Sequence, residues 1–246
     1  MFERCSYLNQ DIQIPNSVTD VTYMFAYCYR FNQNIQIPNS VINTNGMFYT
    51  CNNFNQNIKI PNSVINASSM FSDCINLNQN VQIPNSVTNA AYMFDGCYNL
   101  NQNIQIPNSV TTTFCMFYNC FNFNQNIQIP NSVTNTSSMF RFCNNLNQNI
   151  QISNSVTNAA YMFSNANQMS NITIGANMKN NCFFGFISDN NSITRYIWTE
   201  SQTAAKLRTT NIVFSGSKGI RPTWSTVTNG YYNATYNIYI YTNAFD

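Results

Sequence analysis

The sequence predicts a repeat solenoid of 23-residue coils with a parallel β-sheet, few or no long helices and a β-rich C-terminal cap. Three observations carry that prediction. The pair Met-Phe returns at Met1, Met24, Met47, Met70, Met93, Met116, Met139 and Met162 with one constant step. Each copy holds a short alternating segment such as "NIQI" (Asn34 to Ile37), closed in six copies by proline. Past about residue 170 the register is lost, and β-branched and aromatic residues become frequent. A unit this short buries its apolar face only against its neighbours, so a fixed period decides the fold before any single motif does.

The unit reads M-F-x-x-C-x-x-[LF]-N-Q-[ND]-[IV]-[QK]-I-[PS]-N-S-V, followed by five looser residues, and seven full units fill residues 1–170 without an insertion. The period falls within the range of about 20–29 residues used by leucine-rich-repeat solenoids. "NIQI" alternates polar and apolar and is read as a half-buried strand, with Ile35 and Ile37 inward and Asn34 and Gln36 outward. Proline after the second isoleucine ends the strand and turns the chain. Stacked in register, such strands rise about 4.8 Å per coil, so the repeats make a rod or shallow arc on the order of 35 Å long.

Two further rows follow from the period. Cys5, Cys28, Cys51, Cys74, Cys97, Cys120 and Cys143 fall on one line, with Ala166 in the next slot. Stacked, identically directed side chains are poorly placed for disulfides, and the expected state is a reduced core ladder. Cys115 and Cys182, off the register, are expected as buried thiols. Asn32, Asn55, Asn78, Asn101, Asn124 and Asn147 form a second line, expected as buried amides bonding backbone groups within and between coils, and Ser40 and its equivalents have the same expected role.

Composition narrows the chemistry. Only 7% of residues are charged, the formal net charge is +2 and there is no histidine. Asparagine supplies nearly a fifth of the chain. The charge gives no reason to expect a nucleic-acid partner, and the missing histidine removes the commonest general base and most zinc sites. No apolar run is long enough for membrane insertion. The opening "MFERCSYLNQ" lacks the apolar segment of a signal peptide. No catalytic residue, metal site or cofactor is expected. The eight acidic residues leave only a carboxylate-based glycan-cleaving site conceivable, and no acidic pair recurs at a repeated position to mark one.

The candidate periodic binding face is the outward strand row, Gln13, Gln36, Lys59, Gln82, Gln105, Gln128 and Gln151. A flat row of amides reads a periodic ligand such as a glycan, or else its side chains bond one another between coils. Variation collects instead in the five residues before Met-Phe and beside the cysteine. In residues 171–246, "SITRYIW", "NIVF" and "TYNIYIY" read as strands, with "SGSKG" and "TNG" as turns. This segment is either a cap on the last coil or a small assembly module. Six of the ten basic residues and both tryptophans lie in it. Arg195, Trp198, Lys218, Arg221 and Trp224 are its candidate contacts, with core packing as the alternative for the tryptophans.

At these residues the chain resembles known families. "IPNSVT" (Ile83 to Thr88) followed by Phe94, Gly96 and Cys97 resembles the BspA-type leucine-rich repeat of microbial surface proteins. "MFDGCYNLNQNI" (Met93 to Ile104) resembles the Mycoplasma surface-lipoprotein repeat, and "FNQNIQIPNSV" (Phe31 to Val41) is similar to the FNIP repeat of amoebal and giant-virus proteins. The unit has one residue more before the strand than the BspA type and lacks its isoleucine after "SVT". The resemblance implies an extracellular, cell-surface or virion location and a non-enzymatic interaction protein, an adhesin or receptor-binding repeat protein whose partner is a host-surface protein or glycan. The alternative is a structural subunit or spacer of a fibre, filament or virion appendage. Met1-Phe2 already stands in register, so the N-terminal cap is expected to be missing, with the open coil covered head to tail by another copy or a neighbouring subunit.

Overall fold

The computed structural model describes residues 1–175, 186–188, 194–199, 204, 213–214, 224–234 and 238–242. Every strand or longer element delimited among them is β-strand, and the repeats stack in register as a repeat fold. The seam that joins one coil to the next is a backbone ladder. The N–H groups of Val21, Tyr23, Phe25 and Tyr27 donate to the carbonyls of Asn43, Asn45, Met47 and Tyr49 at 2.8–3.0 Å, and later coils repeat the pattern. Parallel bridges link Asp20, Asn43, Asn66, Asn89, Thr112, Asn135 and Asn158 in turn along the same seam. The intervening N–H groups turn back within the coil, as Met24 to Val21, Ala26 to Tyr23 and Cys28 to Phe25. In every second of these turns the third residue is left-handed. Tyr23 (φ 50°) and Tyr27 (φ 60°) supply it in one coil, Gly46 and Thr50 in the next.

The seam lies where the sequence looked loosest, and this corrects one expectation. "NIQI" alternates in burial as predicted, with Ile35 and Ile37 buried and Asn34 and Gln36 exposed. It is nevertheless not a strand in the first six copies. A strand appears only at β1 (Ile150–Ile152), paired in parallel with β2 (Asn171–Ile174). Proline removes one bond of this ladder. In that pair Gly175 holds the proline slot of the following coil, and its N–H donates to Ile152 O at 2.6 Å. Pro38, Pro61 and their equivalents have no N–H for that bond, although Ser153, which has one, does not donate it to the coil before.

The core is a set of in-register columns. Phe2, Phe25, Phe48, Phe71, Phe94, Phe117, Phe140 and Phe163 stack ring on ring, with centroids 5.5–5.8 Å apart and planes within 2–10° of parallel. The centroid separation exceeds the coil rise, so the rings are offset, the favourable arrangement for aromatic quadrupoles. Beside them the thiols of Cys28, Cys51, Cys74, Cys97, Cys120 and Cys143 each donate to the carbonyl of the phenylalanine in the preceding coil, at 3.0–3.1 Å. All six are free and buried, as is Cys115, whereas Cys5 is exposed. Cysteine therefore does more than fill space, because it feeds a carbonyl that also accepts its own coil's turn bond. Cys182 lies outside the described residues.

Both seams continue past residue 170. Phe163 N–H donates to Phe186 O, and Phe163 bridges Ile187 of β3 (Ile187–Ser188), which pairs in parallel with β5 (Val213–Phe214). In the other seam β2 pairs with β4 (Arg195–Trp198) and β4 with β8 (Ile238–Tyr241), all parallel. A hairpin of β6 (Ser225–Val227) and β7 (Gly230–Asn233) then adds to β8 in the antiparallel sense, giving the order β1-β2-β4-β8-β7-β6. Strands thus fall within "SITRYIW", "NIVF" and "TYNIYIY" as read from sequence, and the "TNG" turn joins β6 to β7 with Asn229 left-handed at φ 61°. "SGSKG" lies outside the described residues. The sequence reading passed over β2, although "NITI" is the "NIQI" motif after a one-residue deletion.

Candidate functional site

The outward rows form one face. Gln13, Gln36, Lys59, Gln82, Gln105, Gln128 and Gln151 are all exposed, as are the flanking rows that run from Asn34 and from Asn39. The glutamines do not bond one another between coils. Gln82 and Gln105 donate instead to Asn80 and Asn103 of their own coils, at 3.0 and 2.8 Å. Their remaining donors and acceptors point to solvent, and Lys59 is the only charge in the glutamine row.

Strand register extends this face into the C-terminal segment. Gln151 pairs with Thr173, Thr173 with Trp198, and Trp198 with Tyr241. In the adjacent row Asn171 pairs with Tyr196, Tyr196 with Tyr239, and Tyr239 with Tyr232. The amide rows therefore run into five aromatic side chains. These rings stand on edge and stack across strands, Trp198 on Tyr241 at 4.6 Å and Tyr232 on Tyr239 at 4.4 Å. Trp198 is 38% exposed. Tyr241 covers one face of its indole, and the neighbour on the other side is the small Thr173.

The remaining C-terminal candidates are not part of that face. Alternation along β4 turns Tyr196 and Trp198 outward and Arg195 and Ile197 inward, so Arg195 is 1% exposed and cannot meet a surface partner. Trp224 is half-buried against the core cluster. Lys218 and Arg221 lie outside the described residues. Among the described residues no group of three or more His, Cys, Asp or Glu side chains is placed to hold a metal ion, and no helix is long and apolar enough to cross a membrane.

Two other polar rows hold the coils together. The Oδ1 atoms of Asn9, Asn32, Asn55, Asn78, Asn101 and Asn124 each accept the backbone N–H of the matching asparagine in the next coil at 2.9–3.0 Å. All six also accept the following glutamine's Nε2, as Gln102 to Asn78 at 3.1 Å. These amides are half-buried or exposed rather than buried as expected, because the turn they brace lies at the surface. The hydroxyls of Ser40, Ser63, Ser86, Ser109, Ser132 and Ser155 donate to the valine carbonyl of the preceding coil at 2.6–2.9 Å.

Stacking also builds a cluster that sequence reasoning missed. Asp73 and Asp95 occupy different positions in their repeats, yet Asp73 N–H donates to Asp95 O at 2.6 Å. The Asp73 carboxyl lies where a Cβ on Gly96 would sit, and glycine there also meets φ 69°. Burial raises Asp73, and burial followed by the Asp73 charge pushes Asp95 up to about 7. The pair holds a proton near neutrality and carries no third acidic partner in the cluster. Further along, Arg141 lies over Phe142, Tyr161 and Tyr118 at 5.1–5.8 Å. Their only sequence signal was the coil-to-coil variation of these positions. Burial also lifts the thiols, Cys28 to about 11 and Cys115 to about 12, so they are protonated and unreactive at neutral pH.

The sequence model of the family described as "Mycoplasma protein of unknown function, DUF285" matches residues 1–83, 37–128 and 107–181. The chain belongs to this family. Each DUF285 match runs over more than three repeats, and the last one takes in β2. The DUF285 region therefore contains the whole glutamine row and Thr173, while Trp198 and Tyr241 lie beyond it. No curated protein and no solved structure matches the chain.

Proposed function

We propose that this DUF285 protein is a non-enzymatic, surface-exposed interaction protein, in which a leucine-rich-repeat-like solenoid presents a long uncharged polar face to a partner. The observation that carries the reading is the unbroken outward row from Gln13 to Gln151, continued by Thr173, Trp198 and Tyr241. Amides that bond only within their own coil leave capacity for a partner, and their repetition suits a periodic one. The lack of histidine, and a single carboxyl pair among the described residues, favour binding over catalysis.

The test is saturable binding of the labelled chain to intact cells by flow cytometry, beside a variant carrying Gln82→Glu, Gln105→Glu and Gln128→Glu. The parent binds and the variant loses most of the signal. Absence of binding to every cell type, or equal binding by the variant, refutes the reading. The uniformity of the seven copies favours a second reading, a spacer in a fibre, filament or virion appendage. Regular filaments of the purified chain in electron micrographs support that one.

A further inference from the structure

We infer that the outward face carries a binding site for a neutral oligosaccharide, laid along the strand direction where the amide rows meet the aromatic rings. The inference rests on the proposed reading of this face and names the chemistry of its partner.

A depression of about 330 Å³ opens between Gln128, Asn131, Gln151, Thr173 and Gly175, together with the neighbouring backbone. Its size is at the lower end of ligand sites, enough for a short ligand. The eighth coil differs from the others in having small side chains along this line. Thr173 replaces glutamine, and Gly175 replaces proline in a slot where a Cβ would meet Ile152 O and Asn154 N at 2.9 and 3.0 Å. On one side stand the amides of Gln151 and Gln128. The next strand on the other side carries Trp198 opposite Thr173, outside the residues that line the depression, with one indole face against Tyr241.

These features select one ligand class. No residue that lines the depression is charged, so an anion finds no counter-charge and a cation no carboxylate. The carboxamides offer paired donors and acceptors, the pattern that meets vicinal hydroxyls. An indole face half-open to solvent offers a flat apolar surface for the C–H face of a pyranose, as aromatic rings do for other flat ligands. A ligand lying along the strand direction places its ring parallel to that indole, whereas one running along the coil axis meets it end-on.

The test uses the full chain and soluble hexaoses of the cello-, chito-, xylo-, manno- and malto- series, followed by calorimetry and tryptophan fluorescence. At least one series binds and shifts the fluorescence, and the shift persists in Trp224→Phe. Trp198→Ala weakens binding at least tenfold, about 1.4 kcal/mol, while Trp198→Tyr retains most of it and shows that the fold survives. Gln151→Ala weakens it by a smaller factor. Failure of every neutral series, or equal binding by Trp198→Ala, overturns the inference, as does preference for an acidic glycan or a peptide. If the chain still binds cells in the face-dependent assay, the site chemistry is wrong and the wider reading stands.

Discussion

Replacing Phe94 with alanine tests whether the phenylalanine column is what couples the coils. The ring is fully buried and stacks on Phe71 at 5.8 Å and on Phe117 at 5.6 Å, with planes 4° and 10° from parallel. Burying alanine instead of phenylalanine costs about 3–5 kcal/mol in a close-packed core. Two stacked partners place Phe94→Ala in the upper part of that range, since each adds about 0.5–1.5 kcal/mol beyond area. Phe94→Leu separates the terms, because it keeps most of the apolar volume and loses both stacks, for a cost of about 1–3 kcal/mol. Neighbour-only coupling adds a positional signature. A break at Phe94 weakens two interfaces in mid-stack, so urea denaturation followed by circular dichroism should broaden or split into two transitions. The same change at Phe2, stacked only on Phe25 within the column, should keep one transition. A neutral Phe94→Leu, or an Ala variant that unfolds in one unbroadened step, refutes the coupling argument.

Three further outcomes follow from the polar columns. Cys97→Ala removes a thiol donor to Phe71 O and leaves a small void, and calorimetry should record a loss of about 1–2 kcal/mol; in the native chain a thiol reagent should label exposed Cys5 well before any of Cys28 to Cys143. Asn78→Ala strands the Asn101 N–H and the Gln102 amide and should cost about 1–2 kcal/mol by denaturant titration, whereas Asn78→Asp, which keeps the acceptor, should cost less. Because Asp95 is raised from 3.8 to about 7 on folding, its contribution is present below the lower value and lost as pH climbs through the higher one. Thermal stability should therefore fall between those two pH values, and Asp95→Asn should flatten that fall. A parent protein that grows more stable over this interval contradicts the burial of the pair.

Legibility differed by residue type. Ile35, Ile37, Phe48 and Cys51 were assigned to the core because their period repeats, and each is buried. The asparagine and serine rows were likewise readable as backbone partners, since a tight turn must satisfy its own polar groups. The placement of the seam was not readable. Alternation marks which side chains are buried but not which backbone groups pair, and the proline that ends six copies removes one donor from the "NIQI" segment. Among the residues that carry the seam, the positions of Tyr23 and Tyr27 vary from copy to copy because their bonds come from backbone atoms, whereas Phe25 between them is constant for the core.

By itself the sequence determined the period, the identity of the buried columns, the reduced state of the cysteines in the repeats and the amide character of the outward face. Each follows from residue type repeated at a constant interval, and identical neighbours one coil apart need no long-range information. Tertiary structure alone decided how the strands beyond the last regular coil line up. Thr173, Trp198 and Tyr241 share a row although unequal lengths of chain separate them, and Asp73 meets Asp95 only through a stagger between adjacent coils. Arg195 and Trp198 are three residues apart, so alternation sends one into the core and the other to the surface. Adjacency across strands is set by register, and outside the repeats register is set by folding rather than by spacing.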